Sequence, residues 1–151
     1  MNRHDRFQAL LEESLRSAAW PLAAEHDLRA SDARRQMNEV YATTEPARSE
    51  IDKLDGPTVI EFGSPWCGYC RAAQPLLISA FVGHSRVRHI KIADASGRPL
   101  GRSFGVTLWP TLVFLAQGKE IARLVRPTDS SAIRKALEQI DAGFPLSRDD
   151  D

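Results

Sequence analysis

Cysteine is scarce in this chain: of 151 residues only two are cysteines, and both lie in the pentapeptide Trp66-Cys67-Gly68-Tyr69-Cys70. A framework of stapling disulfides is therefore excluded, and the one ring these thiols could close encloses too little chain to stabilise a fold much. Charge of one sign is also missing. Lysine plus arginine number 20 and aspartate plus glutamate 20, so the formal net charge is zero and no global basic field exists to draw nucleic acid. No apolar run is long enough for a membrane-spanning helix, and Met1-Asn2-Arg3-His4-Asp5-Arg6-Phe7 leads into a charged amphipathic stretch rather than a signal-peptide core. The expected location is the cytoplasm, where structural disulfides are rare and a CxxC serves redox or metal chemistry. Metal ligands are in short supply. Zinc needs about four, there is no second CxxC, and His4, His26, His84 and His89 form no ligand-spaced pair. His89 reads as a strand residue and the other three as ordinary surface histidines. Repeats and low-complexity tracts are absent, and the length suits one domain with a real core.

What is present is a redox constellation. The apolar run Thr58-Val59-Ile60-Glu61-Phe62 leads through Gly63-Ser64-Pro65 into the CxxC, and a helical pattern follows at once. Cys67 should thus stand at a helix N-terminus, where unpaired N–H groups and the helix dipole favour a negative thiolate. Only the thiolate attacks a disulfide. Cys70, one turn further in, is placed to resolve a mixed disulfide rather than to start one.

Along the rest of the chain, Phe7, Leu10, Leu11, Ser14, Leu15, Ala18 and Ala19 share one face at helical spacing, ending near Trp20-Pro21. This helix either packs on the main domain or binds a partner. Residues 22 to 36 are charged, alanine-rich and helical in part, while Met37 to Ala42 is ambiguous between strand and helix turn. Thr44 is a candidate N-cap for a helix through Leu54, with Pro46 in its first turn. After the strand at 58–62, the pattern predicts a helix from Cys67 to about Val82, closed by Gly83. It then predicts a strand over Val87–Ala93, a short helix from Gly97 to Phe104, and a hairpin of Thr111–Ala116 and Glu120–Val125 turning at Gln117-Gly118. A last helix carries Ile133, Ala136, Leu137 and Ile140 and stops at Gly143. Pro145–Asp151 reads as a disordered acidic tail. This order describes an α/β fold, a mixed sheet with helices on both faces.

Residues 56 to about 142 resemble a thioredoxin. Several separated landmarks carry the likeness: Trp66-Cys67-Gly68-Tyr69-Cys70 for the family's WCGPC, Pro75 five residues after the second cysteine, and Trp109-Pro110-Thr111 for the cis-proline segment. Glu61 stands where thioredoxins usually carry a buried aspartate, and Lys91 where they often carry a nearby lysine. The resemblance implies a thioredoxin-like fold over 44–143, with a helical extension over 1–43 and a tail over 144–151.

It further implies a thiol–disulfide oxidoreductase that reduces protein disulfides and needs no cofactor beyond its two sulfurs. A reducing partner, thioredoxin reductase or the glutathione system, would restore the dithiol; nucleic acid and membrane are not expected partners, and the chain is expected to be a monomer. Pro110 would be cis and face the cysteines, with the neighbouring backbone pairing with an extended substrate. Glu61, if buried, would have a raised pKa and relay the Cys70 proton; the alternative is a partly solvated Glu61 paired with Lys91. Trp66 is expected to pack beside the motif and shield the sulfurs, and Gly68 and Tyr69 to join it in contacting substrate. Three departures bear on specificity. Tyr69 replaces proline within the CxxC, Trp109 is far bulkier than the usual aliphatic residue, and Arg126-Pro127 replaces a glycine that keeps the groove open. A cation at 126 suggests an acidic partner surface. A redox-switched binding or chaperone-like module, and a disulfide oxidase or isomerase in an oxidising compartment, remain the alternatives.

Overall fold

Pro57–Gly63 forms β1, and all seven of its residues are buried, which makes it the centre of the sheet. The computed structural model describes residues 3, 5, 6, 28–35, 37 and 40–142. The amphipathic pattern over Phe7–Ala19, the histidines His4 and His26, the stop at Gly143 and the tail over Pro145–Asp151 lie outside the described residues. Seven further elements surround β1: α1 (Arg48–Asp52), α2 (Gly68–Phe81), β2 (Arg88–Ala93), α3 (Pro99–Ser103), β3 (Thr111–Ala116), β4 (Lys119–Val125) and α4 (Ser130–Ala142). The sheet order is β2-β1-β3-β4. β1 runs parallel to β2 and antiparallel to β3, and β3–β4 is a hairpin with an irregularity at Phe114/Leu115.

Strand periodicity divides the apolar residues between two layers. Val59, Leu112 and Phe114 face α2 and α4, where they pack with Leu77, Phe81, Ile133, Leu137 and Ile140. Ile60, Phe62, Val113 and Leu115 face the other way, onto Ile51 of α1 and Leu100 and Phe104 around α3. Each fully buried Leu, Ile or Phe is worth about 1.5–3 kcal/mol of transfer free energy, so both layers hold β1 firmly. Residues 28–35 are helical, and Ala33 and Met37 join the α2/α4 layer.

Two expected elements differ. The helix placed at Thr44–Leu54 begins only at Arg48, after Ala47. The reason lies in Pro46, which disfavours helical backbone at Glu45, and in the use made of Glu45 itself. Its Oε1 accepts the Leu100 N–H at 2.9 Å and its Oε2 the Arg98 guanidinium at 3.3 Å, which ties this stretch to the start of α3. In the ambiguous Met37–Ala42 segment, of which residues 37 and 40–42 are described, Ala42 forms a parallel bridge with Ile92. Ala42 N–H donates to the Lys91 carbonyl at 2.8 Å and the Ala42 carbonyl accepts from Ala93 at 3.0 Å. That bridge lays Tyr41 beside the edge of β2.

Candidate functional site

The polypeptide leaves β1 at Gly63, turns through Ser64-Pro65-Trp66, and enters α2 with Cys67 as its N-cap residue. The expected placement of Cys67 at a helix start is what the structure has. Its Sγ accepts the Cys70 N–H at 3.2 Å and lies 3.8 Å from the Trp109 carbonyl. Cys67 is half-buried and Cys70 is buried, and the two are not bridged. The Trp109–Pro110 peptide is cis, and Pro110 is buried below the dithiol at the head of β3.

The front of this site is open. Trp66 is 89% exposed and Tyr69 60%, and a Cβ on Gly68 would meet nothing within 4 Å. Trp66 does not shield the sulfurs as the sequence suggested: the turn through Pro65, with Ser64 Oγ accepting the Trp66 N–H at 3.2 Å, directs its ring outward. Trp109 is half-buried, its indole N–H donating to Asp94 at 2.8 Å. Arg126 adopts a left-handed backbone, φ 50, and its guanidinium lies over the Tyr69 ring at 4.0 Å. Its Nε donates to the Trp109 carbonyl at 2.9 Å. The carbonyl expected to meet an incoming strand therefore already holds a partner. Beside it, Tyr69, Leu76 and Arg126–Thr128 line a pocket of about 340 Å³.

The back of the site is a buried polar network beside a cavity of about 410 Å³. Glu61 is fully buried. One carboxylate oxygen accepts from the Tyr41 hydroxyl and the Gln74 amide, each at 2.9 Å, and the other lies 3.0 Å from His89 Nε2. The pairing expected with Lys91 is indirect: Lys91 Nζ donates to Gln74 Oε1 at 3.0 Å, and the Gln74 amide bonds both Glu61 and the Cys70 carbonyl. The expected rise in the Glu61 pKa is reversed. Burial pushes it up, but the hydrogen bond and charge of His89, the charge of Lys91 and the Gln74 bond together hold it below its ordinary value. The Cys70 thiol is pushed up to about 11, by burial first and then by its hydrogen bond with Cys67, against a Ser64 backbone bond and a Tyr41 bond that pull it down. Burial, and next the Glu61 charge, raise the Tyr41 phenol far above its usual range.

Tyr41, Gln74 and His89 were not singled out as site residues from the sequence. A signal existed for two of them. Gln74 is four residues after Cys70, on the same helix face, and His89 has the parity of Lys91, so both point to the Glu61 side of the parallel β1–β2 pair. His84 is not an ordinary surface histidine either. Its Nδ1 lies 2.7 Å from Asp141 Oδ2, tying the end of α2 to α4. No cluster of three or more His, Cys, Asp or Glu among the described residues could hold a metal ion. No helix among them is long and apolar enough to cross a membrane.

Comparison with known proteins agrees with this geometry. The Thioredoxin family model matches residues 39–139. A thioredoxin from Chlamydia muridarum is 33% identical over 85 residues, covering 56% of this chain and 82% of its own. The TPR repeat-containing thioredoxin TDX of Arabidopsis thaliana is 28% identical over 102 residues, 68% of this chain, which spans only 26% of that longer protein. Among solved structures, reduced thioredoxin 2 from Pseudomonas aeruginosa PAO1 superposes with a TM-score of 0.64 at 50% identity, over 72% of this chain and 100% of its own. With the family model covering most of its length, the chain belongs to the thioredoxin family and is a thiol–disulfide oxidoreductase.

Proposed function

We propose that this protein reduces disulfides in other proteins, with Cys67 as nucleophile and Cys70 as resolving thiol. The contrast between the two sulfurs carries the reading: Cys67 caps α2 at the half-open front, whereas Cys70 is buried with its thiol pushed up to about 11. The Cys67 thiolate attacks one sulfur of a substrate disulfide, forming a mixed disulfide and releasing the other sulfur as a thiolate. Cys70 then attacks Cys67 Sγ, loses its proton, forms the Cys67–Cys70 bond and expels the second substrate thiolate. Two electrons have passed to the substrate, and a thioredoxin reductase or a glutathione-linked donor returns them.

In this reading Trp66, Gly68, Tyr69, Trp109 and Pro110 form the contact surface, Arg126 favours acidic segments, and Glu61 accepts the Cys70 proton. Such a direction requires a reducing compartment, and the cytoplasm fits. The test pairs two variants. Cys67→Ser abolishes reduction of a disulfide protein such as insulin, while Cys70→Ser accumulates covalent substrate adducts that dithiothreitol releases. Equilibration with glutathione buffers should give a potential near or below roughly −250 mV; one above roughly −190 mV, the range of oxidases and isomerases, overturns the reductive direction.

A further inference from the structure

We propose that the Tyr41 hydroxyl is the proton link between Cys70 and Glu61. The inference rests on the resolving role assigned to Cys70 above, and deepens it. Tyr41 comes from the segment bridged to β2, outside the strand–helix unit that carries the dithiol. Its hydroxyl donates to Glu61 Oε2 at 2.9 Å. On its other side it faces the Cys70 thiol, whose pKa it pulls down. Both groups close over Gly63, where Cys70 Sγ lies 2.7 Å and Tyr41 Oη 2.8 Å from the place a Cβ would occupy. The three groups thus form an ordered series, thiol to phenol to carboxylate.

The need for such a link follows from burial. A thiol held near 11 is almost wholly protonated at neutral pH, so it must shed its proton as it attacks. As the Cys70–Cys67 bond forms and the Cys67–substrate bond breaks, the Cys70 proton passes to Tyr41 Oη while the Tyr41 proton passes to Glu61. The electron pair of the broken bond leaves on the substrate sulfur, and the proton count is conserved throughout. A depressed pKa keeps Glu61 ionised at rest, hence an acceptor, and makes it release the proton again rather than store it. The other groups facing Tyr41 fit this role. Lys91 Nζ sits 4.4 Å from its ring centroid, His89 and Gln74 fix the Glu61 carboxylate, and Arg71 stands at the rim of a cavity of about 410 Å³ that Tyr41 and Cys70 both line. That cavity is the exit for the proton.

The test is Tyr41→Phe, which keeps the ring and removes only the hydroxyl. Reacting the reduced protein with Ellman's reagent releases one thionitrobenzoate as Cys67 attacks and a second as Cys70 closes the disulfide. The first phase should keep its rate. The second should slow roughly tenfold to a hundredfold at neutral pH, with the gap closing only as pH rises past about 11, where Cys70 ionises unaided. A second reading needs no turnover: in a Cys67→Ser background, the thiolate absorbance of Cys70 should titrate at higher pH once Tyr41 is Phe. Equal second phases at every pH, both phases slowed alike, or an unmoved Cys70 titration overturn the link. Because the reagent is a small disulfide, a failure to reduce proteins would sink the proposed substrate class and leave this test intact.

Discussion

The two cysteines stand three residues apart and belong to two different media. Around Cys67 the neighbours are a helix end, a carbonyl and open surface, and the nearest large side chains, Trp66 and Tyr69, are exposed. Around Cys70 they are Tyr41, Glu61, Gln74, His89 and Lys91, drawn from four separate parts of the chain and bonded into one network. The placement of Cys67 itself is set by residues local in sequence, with Trp109 and Arg126 brought beside it by the fold, whereas the network behind Cys70 exists only once the fold assembles it. In the proposed mechanism the attacking thiol thus works from a helix terminus and the resolving thiol from within a tertiary network. Recognition and proton handling should be separable by mutation.

The largest effect is expected from breaking the back. Glu61→Gln keeps the shape and removes the charge that His89 and Lys91 face, and loss of one partner from a buried pair costs about 3 kcal/mol or more. The pH dependence has a definite sign. The Glu61 pKa is lowered from 4.5, so the stability it contributes is complete above that value and is lost as pH falls through the lower folded one. Urea unfolding of the reduced protein should show wild type weakening below about pH 4.5 more steeply than the Gln variant, which is already weaker at pH 7. Parallel acid profiles for the two proteins would mean that Glu61 is not held as an ionised partner.

How much of this was readable in advance follows the same division. Cys67 as a helix cap was legible because strand, turn and helical spacing adjoin in sequence, β1 was legible as an apolar run, and the β3–β4 hairpin from a β-rich run and a Gln-Gly turn. The state of Glu61 was not. Its partners Tyr41, Gln74 and His89 lie 20, 13 and 28 residues away, and the direction of its pKa depends on how many donors arrive, which no local pattern reports. Burial alone argued for a raised pKa; the donors decided otherwise. The helix expected from Thr44 failed for the same reason, because Glu45 serves α3, more than fifty residues on, rather than its own first turn. Trp66 misled in the opposite direction, since an aromatic beside a reactive motif invites the idea of a shield while the turn that aims it outward leaves no compositional trace.

Two glycines sharpen the contrast with one chemical change. A Cβ at Gly63 would meet Cys70 Sγ at 2.7 Å and Tyr41 Oη at 2.8 Å, whereas one at Gly68 meets nothing within 4 Å. Gly63→Ala should cost about 1–3 kcal/mol, the range for overpacking a filled interior, and should impair Cys70 more than Cys67. Gly68→Ala, at the first position of α2, should be neutral or stabilise by up to about 1 kcal/mol, the difference in helix propensity. Midpoints of urea unfolding for the two reduced variants measure this directly, and similar losses for both would erase the distinction between a packed back and an open front.

The smallest effect on stability, and the most informative about partners, is expected at Arg126. Replacing it with glycine removes one hydrogen bond, worth about 0.5–1.5 kcal/mol, and the stacking on Tyr69, about 0.5–1 kcal/mol at an exposed site. It also relieves a left-handed backbone, φ 50, that costs a side-chain-bearing residue about 1–2 kcal/mol. These nearly cancel, so the unfolding midpoint should scarcely move while the front changes character. The Trp109 carbonyl, now capped by Nε at 2.9 Å, becomes available to an added strand. One recovered hydrogen bond lowers KM for a neutral disulfide peptide about threefold to tenfold, while a peptide with acidic flanks loses the attraction of the guanidinium and gains less or nothing. Arg126→Gly should therefore reduce the preference for acidic over neutral peptides, read as the ratio of their kcat/KM values, without slowing the closure of Cys67–Cys70. A variant that alters closure but not that ratio would place Arg126 with the proton network at the back, and the separation of the two sides would fail at the residue that spans Tyr69 and Trp109.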